Sequence, residues 1–99
     1  MEKRTPTYDL NSFKAAAAAV AVTVTALRNA DELGFATRDS ITAVLQTMER
    51  THFYKSMTSY GNHKEWQDVY HVPYADFVIY IKFVADVLTE FKLLSFKER

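Results

Sequence analysis

The chain is expected to be an α+β protein, a mostly antiparallel sheet with helices packed on one face, and three features of the sequence lead there. Residues Ile41, Val44, Leu45 and Met48 follow the i, i+3, i+4, i+7 spacing that lines one side of a helix. From Thr51 onward β-branched and aromatic residues dominate, with the turn signals Tyr60-Gly61-Asn62 and Val72-Pro73 between extended runs. Helical signals therefore come first and strand signals later, the pattern of helices laid against an antiparallel sheet.

Each element has a local reason. Asp9 or Asn11 supplies a side-chain oxygen for the free N–H groups of a first helix carrying Leu10, Phe13 and the alanines. The run Val20-Ala21-Val22-Thr23-Val24 alternates valine with smaller residues, which suits a short strand or a joint between helices. Thr25 is expected to cap a second helix with Leu27, Ala30 and Leu33, and Gly34 to end it, because glycine takes the left-handed conformation after a helix at no steric cost. Thr37 opens the third helix. Between Asp76 and Phe83 alternation is strict: Phe77, Ile79, Ile81 and Phe83 point one way, and Asp76, Val78, Tyr80 and Lys82 the other. Strict alternation through Phe91 to Lys97 would set Phe91, Leu93, Ser95 and Lys97 on one side, with Lys92, Leu94 and Phe96 on the other.

A length of 99 residues suits one domain spanning 1–99. An apolar fraction of 48% and a charged fraction of 24% are ordinary for a folded globular chain. No apolar run reaches the ~18 residues that cross a bilayer, and the opening Met1-Glu2-Lys3-Arg4 lacks the apolar core of a secretory signal, so a cytoplasmic location and no membrane contact are expected. With no cysteine, disulfides, thiolate zinc sites and thiol nucleophiles are excluded. A zinc site would have to use His52, His63 and His71 with Glu65 or Asp68, whose spacing matches no metal motif, and two glycines cannot build a nucleotide-cradling loop. No cofactor and no metal are expected.

Formal charge is zero, without the basic surplus of many nucleic-acid binders. The second half nevertheless holds 11 of the 14 aromatics and all three histidines, which directs attention there. Lys55 sits among aromatic and hydroxyl residues, and is either an edge-strand charge that discourages aggregation or a phosphate contact. Gln67 either satisfies a turn or binds substrate; Tyr80 either covers an outer face or works on it. Taken together, Lys, Gln and Tyr on one open sheet face with aromatic neighbours are what single-stranded RNA cleavage needs. Aromatics stack unpaired bases, cations hold phosphate, and an ionisable group moves the ribose 2′-hydroxyl proton. Tyr54, Trp66, Tyr70, His71 and Lys82 are the RNA-binding candidates.

Five blocks sharpen this reading: Met1-Glu2-Lys3-Arg4-Thr5-Pro6, Asn29-Ala30-Asp31-Glu32-Leu33-Gly34, Phe53-Tyr54-Lys55-Ser56-Met57-Thr58, Trp66-Gln67-Asp68-Val69-Tyr70 and Ser95-Phe96-Lys97-Glu98. In order and spacing they resemble the MqsR toxin family over essentially the whole chain. The sequence departs from the family between Tyr74 and Lys82, and an Ala-Val run replaces the glycine usual after the first helix. The resemblance implies a RelE-like fold and an endoribonuclease toxin, an mRNA interferase cutting messages at short GC-containing sites. It implies a catalytic set that falls on Lys55, Gln67, Tyr80 and Lys97, and a zinc-bearing, DNA-binding antitoxin, with operator DNA reached only through that complex. On chemical grounds Lys55 and Lys97 would stabilise charge on the phosphate, Gln67 would orient it, and Tyr80 would protonate the leaving oxygen. The base would be a lysine of lowered pKa or His71. The competing expectation is a non-catalytic binding module that co-regulates transcription with its antitoxin.

Overall fold

A computed structural model describes residues 1–99. In chain order the elements are β1 (Glu2–Lys3), α1 (Leu10–Ala16), β2 (Ala21–Val22), α2 (Val24–Glu32), α3 (Arg38–Gln46), a short 3-10 turn (Arg50–His52), β3 (Phe53–Ser59), β4 (Asn62–Tyr74), β5 (Phe77–Asp86) and β6 (Glu90–Glu98). The strands form one sheet in the order β1-β3-β4-β5-β6-β2, antiparallel except where β2 runs parallel to β6. The α+β class expected from the sequence is thus what the chain adopts.

Of the two candidate caps for α1, Asp9 is the one used: its carboxylate accepts from the Ser12 N–H and hydroxyl, each at 2.9 Å. Its one fully buried residue, Phe13, stacks on Phe83 of β5 with ring centroids 3.7 Å apart. The valine run resolves into the strand reading, but only Ala21 and Val22 pair. Thr23, and not Thr25, caps α2: its hydroxyl accepts from the Ala26 N–H at 3.1 Å and donates to the Leu94 carbonyl at 3.2 Å. Pairing with β6 fixes the chain up to Thr23, so the helix starts at once and Thr25 falls inside its first turn. That start turns Ala26 and Ala30 inward against β6 and leaves Leu27 43% exposed, outside the expected stripe. Gly34, at φ +95, ends α2 where the sequence indicated. Thr37 caps α3, whose Ile41, Val44 and Leu45, with Met48 just beyond, are buried as their spacing predicts.

One apolar core of 17 buried residues lies between the helices and one side of the sheet. That side is set by Val72 and Tyr70 of β4, Ile79, Ile81 and Phe83 of β5, and Phe91, Leu93 and Phe96 of β6. Val72-Pro73 is not a turn but lies within β4, with Pro73 opposite Val78. Pairing with β3 stops at Tyr70, so β4 has a single neighbour beyond it, and proline is tolerated on such an edge. The chain reverses at Ala75-Asp76 instead, with Ala75 at φ 53, the left-handed conformation that a two-residue hairpin loop calls for.

Two β-bulges decide what faces away from the helices. On β3, Phe53 is opposite Tyr70 and Lys55 opposite Val69, leaving Tyr54 as an extra residue. On β6, Phe96 is opposite Ile81, Ser95 opposite Lys82 and Leu93 opposite Phe83, leaving Leu94 extra. Strict alternation through Phe91–Lys97 is therefore broken at Leu94. Phe96 joins Phe91 and Leu93 in the core, and Ser95 and Lys97 cross to the side that the helices leave open.

Candidate active site on the open sheet face

Residues two apart on a strand share a face, and residues in register across strands are neighbours on it. From the registers, the open face carries Glu2 on β1, Tyr54, Lys55 and Met57 on β3, Gln67, Val69 and His71 on β4, Tyr80 and Lys82 on β5, and Ser95 and Lys97 on β6. Lys55, Gln67, Tyr80 and Lys97 therefore share one uncovered surface. Lys82 and Lys55 flank Val69 in register, and Val69 is fully buried on a side with no helix, which fits lysine stems lying across it.

The centre of this face is a row of rings and cations. Tyr54 stacks on His71 with centroids 4.3 Å apart, and His71 lies 5.8 Å from Tyr80. The Lys97 ammonium sits 5.3 Å from the Tyr80 ring, directly across the β5–β6 pairing, and the Lys55 ammonium lies 5.5 Å from the Tyr54 ring. Lys55 Nζ donates to the Glu2 carboxylate at 2.8 Å. Gln67, only 9% exposed, lies across from Met57 two residues along β4 from Val69, and its amide makes no hydrogen bond within the chain.

The surroundings bias the protonation of these groups. Its hydrogen bond to Glu2 raises the Lys55 pKa and keeps it a cation. Burial raises Tyr80, so that it holds its phenolic proton. Burial, then the nearby Lys97 charge, lowers Lys82. Burial, reinforced by the Arg99 guanidinium, lowers His71 from its ordinary 6.5, leaving a neutral imidazole at neutral pH.

Two sequence candidates do not reach this face. Tyr70 is fully buried among Phe53 and Phe83 on the helix side, and Trp66 lies on that side too, with the Lys3 ammonium 4.3 Å from its ring. Neither can stack a base beside Gln67 in this fold. The signal was present in the sequence: Trp66 and Tyr70 are an odd number of residues from Gln67 on one strand, so they point the opposite way. Conversely, Glu2 and Arg99 act on the site although they were not singled out, since nothing local to either links it to Lys55 or His71. Two of the five residues that a zinc site would have needed make other contacts. Asp68 is fully buried and accepts from the Thr7 and Tyr8 N–H groups at 2.9 to 3.1 Å, and His52 Nδ1 accepts from the Glu49 N–H at 3.0 Å.

A cleft of about 660 Å³ opens elsewhere, between the 6–14 segment and residues 48–50, with Tyr70 against it. Neither Lys55, Gln67, Tyr80 nor Lys97 lines it. The open face is instead a shallow surface, the shape that admits an extended polymer rather than an enclosed small molecule.

Comparison with known proteins gives the same neighbourhood. The model of the family described as "Motility quorum-sensing regulator, toxin of MqsA" matches residues 5–98. This chain belongs to the MqsR toxin family. It is similar to the mRNA interferase toxin MqsR of Escherichia coli (strain K12), with 41% identity over an alignment that covers 100% of both chains. The stretch matched by the family model contains Lys55, Gln67, Tyr80, Lys97 and His71, whereas Glu2 and Arg99 fall outside it.

Proposed function

We propose that this protein is an mRNA interferase toxin: an endoribonuclease that cuts single-stranded messenger RNA on the open face of its sheet and is held inactive by a cognate antitoxin. The observation that carries the reading is the convergence of two lysines, a phenol, an imidazole and an unengaged amide on one helix-free surface, in a chain of the MqsR toxin family.

The chemistry asks only for acid, base and charge stabilisation. The ribose 2′-oxygen attacks the adjacent phosphorus, the bond to the 5′-oxygen breaks, and a 2′,3′-cyclic phosphate and a 5′-hydroxyl remain. Negative charge grows on the non-bridging oxygens, where Lys55 and Lys97 act, each such donor typically worth a few kcal/mol. Gln67 orients phosphate or ribose with its unengaged amide, and Tyr80 protonates the leaving oxygen. Tyr54, His71 and Lys82 contact bases and backbone. The finer reading is a RelE-like fold, metal-independent cleavage at short GC-containing sites in the cytoplasm, and a zinc-containing antitoxin that binds operator DNA and docks by extending the sheet at a free strand edge.

The test is purified protein with single-stranded RNA in EDTA, with product ends analysed. Cyclic-phosphate ends are expected, and Lys55→Ala, Gln67→Ala and Tyr80→Phe should each slow cleavage by ~100-fold or more while the melting temperature stays nearly constant. RNA left intact by folded protein overturns the reading; retained antitoxin binding without toxicity would then identify a binding module.

A further inference from the structure

One role in this reaction is left without an owner, the removal of the 2′-hydroxyl proton. We propose that the His71 imidazole takes that proton, which makes it the general base of the site. The inference rests on the ribonuclease reading above, and it is carried by where His71 stands and by what its neighbours cannot do.

His71 occupies the middle of the open face. Its ring is stacked on Tyr54 at 4.3 Å on one side and lies 5.8 Å from Tyr80 on the other, across the strand from the phenol assigned to the leaving oxygen. Neither imidazole nitrogen is hydrogen-bonded within the chain, whereas His52 uses Nδ1 on the Glu49 N–H, and His63 sits exposed near the tip of the β3–β4 hairpin. A base and an acid must reach opposite ends of one phosphodiester, and rings side by side on adjacent strands have that span.

The other titratable groups facing this spot are poor bases. On β1, the Glu2 carboxylate is tied to Lys55, which lowers its pKa. On β3, Lys55 is held as a cation by the same contact. On β5, burial keeps Tyr80 protonated, and Lys82, though lowered, starts from 10.5 where His71 starts from 6.5. Lys97 on β6 and Arg99 just beyond it bring positive charge, and the Arg4 guanidinium lies 5.9 Å from the Tyr54 ring. The remaining carboxylates of this parity are Asp86 and Glu90 at the β5–β6 turn and Glu65 at the far end of β4, each about 20 Å along the strand at ~3.3 Å per residue, and Asp76 in the β4–β5 turn, about 13 Å from Tyr80. Burial, reinforced by the Arg99 charge, keeps the imidazole neutral and able to accept. A bound phosphate would then favour the imidazolium as it forms.

The step balances without a further reactant. The proton passes from the 2′-oxygen to an imidazole nitrogen as the O2′–P bond forms, the P–O5′ bond breaks, and O5′ takes the Tyr80 proton. Imidazolium and tyrosinate then return to their starting forms by exchange with water.

The experiment is the single-turnover pH–rate profile of the full chain on a short single-stranded RNA in EDTA. It compares wild type, His71→Phe and His71→Gln, with Tyr80→Phe alongside. Wild type should show an acid limb from one ionisation below neutrality. Both His71 variants should lose that limb and, with RNA saturating, cleave at least ~100-fold more slowly. A substrate with sulfur at the 5′-bridging position, whose leaving group needs no acid, should rescue Tyr80→Phe but neither His71 variant. If both His71 variants keep the acid limb and a near-wild-type rate, or if the sulfur substrate rescues them as it rescues Tyr80→Phe, His71 is not the base. A wild-type chain that leaves RNA intact overturns the ribonuclease reading itself, a different result from a wild type that cuts and His71 variants that cut equally well.

Discussion

Two buried polar groups two residues apart on β4 show how differently burial acts on single residues. The Asp68 carboxylate is fully buried yet accepts N–H groups from Thr7 and Tyr8, which pins the segment between β1 and α1 to the sheet. The Tyr70 hydroxyl has no partner within the chain, and burial pushes its pKa up to about 12. A hydroxyl left unpaired in the interior costs rather than contributes. Replacing Tyr70 by Phe should therefore leave stability at pH 7 unchanged or raise it by up to ~1 kcal/mol, as read from denaturant midpoints. The sign with pH follows from the raised pKa. The neutral phenol is the form that the fold favours, so its contribution is complete below the ordinary tyrosine value of 10 and is lost as pH climbs through about 12. Tyr70→Phe should lose less stability between pH 9 and 12 than wild type. A fall of more than ~2 kcal/mol at pH 7 would mean that the hydroxyl is bonded after all.

At the level of elements, the bulge at Leu94 is the feature on which the site turns. Were Leu94 paired in regular alternation, Lys97 would follow Leu93 toward the core and Phe96 would face outward opposite Tyr80. Deleting Leu94 alone leaves a regular ladder in which Ser95 still faces Lys82, Phe96 Ile81 and Lys97 Tyr80, so cleavage should survive. Deleting Leu94 and Ser95 together should abolish it and lower the melting temperature, because Phe96 leaves the core, and burying a phenylalanine of this kind is typically worth ~3–5 kcal/mol. Cleavage at the wild-type rate by the two-residue deletion would show that Lys97 does not act from this face. The same feature marks what the sequence could and could not reveal. Alternation along Phe77–Phe83 was legible because one residue type repeats at every second position, and Ile41 to Met48 because four apolar residues keep the helical spacing. Leu94 adds one residue to an otherwise regular run, and nothing in the composition of Leu93-Leu94-Ser95 says which residue is the extra one. Thr23 replaced Thr25 as a cap for a similar reason: both are threonines before apolar residues, and only pairing with β6 chooses. Pro73 looked like a turn because the early end of β3 is a tertiary fact. Lys55, Gln67 and Lys97 stood out through family blocks and Tyr80 through a looser stretch, whereas Glu2 joins Lys55 across 53 positions of sequence, a contact that no local pattern announces.

Across the whole molecule, formal charge is zero, which argues against an RNA binder until charge is sorted by face. Around the Tyr54–His71–Tyr80 row stand Lys55, Lys82, Lys97 and Arg99, with Glu2 the carboxylate among them. Acidic residues such as Asp31, Glu32, Asp39 and Glu49 lie on or beside the helices instead. The sheet thus separates charge that the composition averages away. A strand of RNA laid on this face would release counterions from each phosphate that meets a cation, and for single strands each contact contributes ~0.7 to the slope of log affinity against log salt. With three or four cations engaged, binding of a 2′-deoxy analogue should weaken with a slope near ~2 to 3. Lys82→Ala and Lys97→Ala should each reduce that slope by ~0.7, and Lys14→Ala, beside the cleft on the helix side, should leave it unchanged. Titrations by fluorescence anisotropy from low to moderate salt would measure all four slopes. Equal loss of slope from Lys14→Ala would move the RNA to the helix side and detach the four candidate catalytic residues from their substrate.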